Sequence, residues 1–299
     1  MFRIIFIITM FACQFLQFCY ASESNMNNVF VSILPQKYFA ERIAGEHVKV
    51  SVMVGKGQSP ATYEPTPKQM VLLNKSQLYF QIGVPFESIW IDAISKLNSQ
   101  LKIIECCTEI STRQSEGHYH GYHREKENTK EGHVKKENAI DPHIWTSPAN
   151  AKYIALKMKM ALIDSYPIYA KEFESNCSKL IEDLDKLDRD IKSRLAQLNN
   201  RYIIVSHPSW GYYAQAYDLI QLPIEVEGKE VRAKSLVNLI EFAKSKKINR
   251  VFVQKQFNKN SAEIIAREID AEVIELDPLA EDYIANLYYV TDAISNSEI

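Results

Sequence analysis

Residues 168–198 read IYAKEFESNCSKLIEDLDKLDRDIKSRLAQL. Leu180, Leu184, Leu187, Ile191, Leu195 and Leu198 recur at steps of three and four, which puts them on one face of an α-helix. Charged residues fill the other face. A helix over Ile168–Leu198, at 1.5 Å per residue, spans about 47 Å, the length of a whole small domain. A helix of that length either packs within one domain or runs as a rigid connector along two. The flanking sequence decides for the connector, because strand–helix alternation stands on both sides of it.

Before the helix, Val29–Leu34, Val48–Val54, Leu78–Ile82 and Lys102–Ile104 read as strands. Gln36–Ala44, Pro67–Lys75 and Pro85–Leu97 read as helices between them. Thr66-Pro67-Lys68-Gln69 forms a capping box with proline at the first helical position. After the helix, strands are expected at Tyr202–Ser206, Leu222–Val226, Arg250–Val253 and Glu272–Leu276. Helices are expected at Leu236–Lys246, Ser261–Ile269 and Tyr283–Ile294, the second capped by Asn260 with Glu263. Such alternation predicts βαβ units. The fold class is α/β: two lobes, each with a mostly parallel sheet flanked by helices, joined by one long rigid helix. The expected organisation is a signal peptide over 1–21, an N-terminal lobe over 22–165, a linking helix over 166–198 and a C-terminal lobe over 199–299.

Composition narrows the function. Lys+Arg 35 against Asp+Glu 37 leaves a net charge of −2, so nothing draws the chain to nucleic acid or to an anionic membrane. With 46% hydrophobic and 24% charged residues the chain is neither disordered nor fibrous. Glycine is scarce, and Gly55-Lys56-Gly57 lacks the spacing of a phosphate loop. Ile4 to Phe18 carries no charge, follows Arg3, and precedes Cys19-Tyr20-Ala21, a small-x-small cleavage site. This is the pattern of a secretory signal peptide and is short for a spanning helix, although an uncleaved anchor stays open. Cys106, Cys107 and Cys177 then remain. They are buried thiols, or one of the adjacent pair bridges to Cys177.

Residues Ser111 to Asn138 have almost no aliphatic side chains and mix both charge signs, which predicts a mobile surface loop. The loop holds His118, His120, His123 and His133, four of the seven histidines; it is either a soluble linker or a place where His118, His120 and His123 converge on one accessory metal ion. His47 sits in a turn and reads as solvated. His143 lies in Asp141-Pro142-His143-Ile144-Trp145, ahead of the Ser147-Pro148 helix start. His207 follows the strand Tyr202–Ser206, and Asp277 follows Glu272–Leu276. The ends of strands are where open α/β sheets bind ligands. Two imidazoles and a carboxylate suit a divalent transition metal, zinc above all. Unrelated turn residues are the alternative, since the three stand far apart in the chain.

The local words are more specific than the spacing. Gly57-Gln58-Ser59-Pro60-Ala61-Thr62-Tyr63-Glu64-Pro65-Thr66-Pro67, Asp141-Pro142-His143-Ile144-Trp145, His207-Pro208-Ser209-Trp210-Gly211-Tyr212, Glu225-Val226-Glu227-Gly228-Lys229-Glu230 and Leu276-Asp277-Pro278-Leu279 follow in order. Together they resemble the extracytoplasmic zinc- or manganese-binding proteins of ABC importers, the cluster A-I solute-binding family. The resemblance implies two α/β lobes with metal in the cleft between them. It also implies His143, His207 and Asp277 as metal ligands and a membrane permease as partner. Zn²⁺ is implied over Mn²⁺, because histidine rather than glutamate stands at 207. The family's first motif usually carries a histidine where this chain has Ala61, so one ligand does not carry over. Glu64 is nearby but is not normally a ligand in the family.

The expected function is capture of Zn²⁺ outside the cytoplasmic membrane by an exported, monomeric protein without enzymatic activity. Ligands must lose protons to bind, so affinity should fall as pH drops through about 6.5. A manganese-type binder and an adhesin that kept the fold with weakened metal binding are the alternatives. A zinc hydrolase, with water in the open place and Glu64 as base, is disfavoured because no hydrolase motif accompanies it.

Overall fold

A computed structural model describes residues 27–115, 140–226, 229–230, 233–257 and 259–296. The expected signal peptide and the loop histidines His118, His120, His123 and His133 lie outside the described residues.

The first half holds β1 (Asn27–Ile33), α1 (Leu34–Ala44), β2 (Val48–Val54), α2 (Pro67–Leu73), β3 (Leu78–Gln81), α3 (Pro85–Leu97) and β4 (Lys102–Glu105). Its sheet runs β2-β1-β3-β4, with every pair parallel. Then come α4 (Pro148–Ser165) and the long α5 (Ala170–Leu195). The second half holds β5 (Tyr202–Val205), α6 (Gly211–Ala216), β6 (Ile220–Pro223), the hairpin β7 (Glu225–Val226) and β8 (Lys229–Glu230), α7 (Ala233–Ser245), β9 (Arg250–Val253), α8 (Asn260–Ile269), β10 (Glu272–Glu275) and α9 (Tyr283–Ser295). Its sheet, β10-β9-β5-β6, is again parallel. Helices cover both sheets, which is why the strands read as apolar runs rather than as alternating patterns.

The capping box at Thr66 forms as the sequence predicts: the Thr66 hydroxyl accepts from the Gln69 amide, and the Gln69 side chain reaches back to Thr66 N–H at 3.0 Å. Four expectations change. The long helix has 26 residues, about 39 Å. Pro167–Tyr169 forms a separate 3-10 turn with Ile168 facing solvent, while Leu198 stays buried beyond the helix end. The strand expected at Leu222–Val226 starts at Ile220 and breaks after Pro223. Its polar Gln221 concealed the start, and in the fold Gln221 is buried and accepts the Trp210 N–H at 2.8 Å. Helix α8 takes Lys259 as its N-cap, and Asn260 is its first helical residue. His47 is held: its ring stacks on Tyr169 at 4.0 Å and its Nε2 lies 2.8 Å from Glu172.

The apolar face of α5 buries Phe173, Cys177, Leu180, Leu184, Leu187, Ile191 and Leu195. It packs against α1 and α4 of the first half and against α9, the last helix of the chain. These residues belong to one core with the first sheet and with Leu287, Val290 and Ile294 of α9. A second, smaller core, with Ile204, Leu239, Val251 and Ile265, lies against the second sheet. Cys106, Cys107 and Cys177 are free thiols, and burial pushes each of them up, away from the reactive thiolate. Among the described residues no helix is long and apolar enough to cross a membrane.

Candidate metal centre

The carboxyl ends of β2, β3, β5, β9 and β10 open on one cleft of about 330 Å³. Ala61, Val84, Pro85 and His143 line it from the first half, and His207, Gln256, Phe257 and Leu279 from the second. The position matches the rule that open α/β sheets bind ligands beyond their strand ends.

His143 and His207 meet here edge to face, with ring centroids 5.4 Å apart. On the His143 side, Asp141 is almost wholly buried. Its Oδ1 accepts from the His143 backbone N–H at 3.0 Å and faces His143 Nδ1 at 2.8 Å. Its Oδ2 accepts from Arg113 at 2.8 Å. Burial works against the Asp141 charge, but hydrogen bonds from His143 and Arg113 outweigh it and hold the carboxyl below the usual carboxylate range. With Nδ1 held by a carboxylate, Nε2 is left as the nitrogen that can take a metal.

The second half grips this assembly. The Tyr212 hydroxyl accepts from the Arg113 backbone N–H at 3.1 Å and donates to the Asp141 carbonyl at 3.2 Å, and the guanidinium lies 5.7 Å from the Tyr212 ring centre. Gly211 lets these parts approach: a Cβ there would sit 1.3 Å from an Arg113 nitrogen and 2.7 Å from Asp141 Oδ2. Trp145 Nε1 donates to the Pro278 carbonyl at 2.7 Å, which ties the His143 turn to the Asp277 turn.

His207 is held differently. Phe257 stacks on its ring at 4.2 Å, with the planes 12° apart. Its Nδ1 lies 3.6 Å from Glu225 Oε2, too far for a hydrogen bond, and both atoms are buried. Burial, with His143 facing it, lowers the imidazole below its ordinary value against the pull of Glu225. Asp277 is half-buried at the end of β10, and its Oδ1 accepts from the Leu279 N–H at 2.9 Å. Ala61 is at the exposed rim, and Glu64 is exposed. Among the described residues, no three His, Cys, Asp or Glu side chains stand together closely enough to hold one ion. The structure thus brings His143 and His207 together and leaves Asp277 on a neighbouring turn.

A buried acid supports the wall formed by Gly83, Val84 and Pro85. Glu87, in the first turn of α3, accepts from Ser32 Oγ, from Ile82 N–H at 2.9 Å and from Gly83 N–H at 2.6 Å. Burial pushes its carboxyl up to about 7 in spite of these bonds. Gly83 has φ of 87°, a conformation that requires glycine.

The family of zinc-uptake complex component A, periplasmic (ZnuA), matches residues 29–297. The chain belongs to this family. A ZnuA deletion mutant solved with zinc bound shares 36% identity, covers 91% of this chain and 97% of its own, and superposes with a TM-score of 0.81. The zinc-binding protein AdcA of Streptococcus pyogenes serotype M3 is 24% identical over 279 residues, 90% of this chain. The chain spans about half of AdcA, 53% of its length. A manganese-bound periplasmic metal binding protein from Candidatus Liberibacter asiaticus has the same fold at 19% identity, with a TM-score of 0.76 over 91% of this chain.

Within the ZnuA frame, reading the sequence for donors found the two meeting histidines and missed their supports. Asp141 and Glu225 both stood in quoted motifs, but nothing local shows that either faces an imidazole. Arg113 and Phe257 carry no local signal at all.

Proposed function

We propose that this protein captures Zn²⁺ outside the cytoplasmic membrane and hands it to the membrane permease of an ABC importer. The observation that carries the reading is the meeting of His143 and His207, from opposite walls, in the cleft at the strand ends. Both present a neutral-imidazole type of donor, which suits zinc better than manganese. Asp277 supplies the third donor by turning its carboxylate from the Leu279 amide into the cleft. A water takes the place left by Ala61 and completes the four ligands zinc prefers. The work is binding and release, with no reaction on a substrate. The loop histidines His118, His120, His123 and His133 serve as accessory donors.

The test is a calorimetric zinc titration of the full chain, of a form lacking residues 116–139, and of His143→Ala, His207→Ala and Asp277→Ala. The loop deletion should remove only weak extra sites. Each point variant should weaken the cleft site at least tenfold, since even the loss of a supporting residue costs that much. A point variant that binds like the parent removes that residue from the ligand set.

A further inference from the structure

The second-half wall of the cleft collects buried polar atoms that have no hydrogen-bond partner among the described residues: Ser206 Oγ, His207 Nδ1, Glu225 Oε2 and both amide atoms of Gln256. A buried polar atom left unsatisfied is costly, so a cluster of them at one site calls for an explanation. Two of them face each other. Nδ1 of His207 and Oε2 of Glu225 are 3.6 Å apart, on side chains only 19% and 10% exposed. The Glu225 backbone is fixed by its N–H to the Ser206 carbonyl at 3.0 Å, so its carboxylate stays beside the imidazole. Phe257 fixes the plane of the imidazole by stacking on it. Stacking leaves movement within that plane inexpensive, and a shift of a few tenths of an ångström in that plane turns the 3.6 Å approach into a hydrogen bond.

We infer that Glu225 is the positioning residue of His207: it accepts the Nδ1–H when a divalent metal is drawn onto Nε2. The inference rests on the zinc-capture reading above. Glu225 does not touch the metal. It fixes the tautomer with the proton on Nδ1, aims Nε2 into the cleft, and makes that nitrogen a stronger donor, as a carboxylate behind a ligating histidine does. Asp141 already occupies this role behind His143. In the second half the corresponding bond is not yet closed, and metal binding closes it.

The experiment is a zinc titration of the full chain carrying Glu225→Gln, Glu225→Ala, His207→Ala, and the double variant His207→Ala with Glu225→Ala, each with apo stability measured by urea unfolding. Zinc affinity should fall ten- to a hundredfold in Glu225→Ala, and less in Glu225→Gln, whose amide oxygen still accepts from Nδ1–H. Apo stability should not fall in either, because no hydrogen bond to Glu225 Oε2 exists there to lose. In the His207→Ala background, Glu225→Ala should cost nothing further. Equal costs with and without His207 would make Glu225 a direct ligand and overturn the inference. If His207→Ala weakens binding but both Glu225 variants bind like the parent, the inference fails and the capture reading stands. If His207→Ala itself binds like the parent, the capture reading fails at this residue. Should Glu225→Ala not fold, the size-conserving Glu225→Gln carries the test.

Discussion

His143 and His207 face the same cleft but are supported to different degrees. Behind His143, Asp141 bonds the ring, Arg113 bonds Asp141, and Tyr212 bonds both backbones, all between 2.8 and 3.2 Å. Behind His207, the nearest carboxylate stands 3.6 Å away, and the buried atoms around it lack partners. The first wall is fully hydrogen-bonded, and the second leaves the His207–Glu225 approach open. On the capture reading proposed above, this asymmetry suits a protein that both holds an ion and gives it up: the His143 donor is rigid, and the His207 donor gains its full support only with the ion bound.

The largest effect that can break this comparison is on apo stability. Asp141→Ala strips a buried carboxylate from Arg113 and His143 and should cost about 3 kcal/mol or more in urea unfolding. Glu225→Ala should cost nothing by the same measurement. Similar losses from both would show that the two walls are equally assembled.

Next is the acid under the first wall. Glu87 ionises at about 7 in the fold against 4.5 for an ordinary glutamate, so the native state binds a proton that the unfolded chain has released. Stability is therefore highest below about pH 4.5 as far as this group is concerned, declines as pH rises toward 7, and is flat above. The span is on the order of 3 kcal/mol. Glu87→Gln should flatten that slope relative to the parent in unfolding curves taken between pH 5 and 8. Parallel slopes would mean that Glu87 ionises normally.

Gly211→Ala tests the seam between the walls. The added methyl overlaps Arg113 and Asp141, and such overpacking costs about 1–3 kcal/mol. Zinc affinity should fall with it, because the support behind His143 is displaced. Unchanged affinity would show that His143 needs no help from the second half.

The smallest change expected is a gain. Ala61→His should restore a donor at the cleft rim and tighten zinc binding about tenfold, roughly 1.4 kcal/mol. If it changes nothing while Glu64→Ala abolishes binding, the site is built around Glu64 instead.

Much of the scaffold was legible in the chain itself. The three- and four-residue recurrence of Leu180, Leu184, Leu187, Ile191 and Leu195 marks the buried face of α5, and each of these side chains is buried. The strand runs and the Thr66 box were readable because periodicity and capping act within a few residues. Two of the misreadings have different causes. The strand expected from Leu222 starts at Ile220, and its buried Gln221 is satisfied by the Trp210 N–H from outside the strand. Ile168 fitted the helix pattern but sits in a proline-initiated turn.

For the site, the sequence alone determined that His143, His207 and Asp277 stand at strand ends or turns, and that no imidazole stands at 61. Only the tertiary structure decided that the two histidines meet at 5.4 Å, that Asp141 backs one and Glu225 approaches the other, and that Gly211 is small because Arg113 occupies the space beside it. The physical reason is range. Side-chain periodicity is set by the geometry of the local backbone, whereas contacts between residues far apart depend on how the two sheets and α5 pack. A shift of a few tenths of an ångström there separates a hydrogen bond from a buried polar atom left without one.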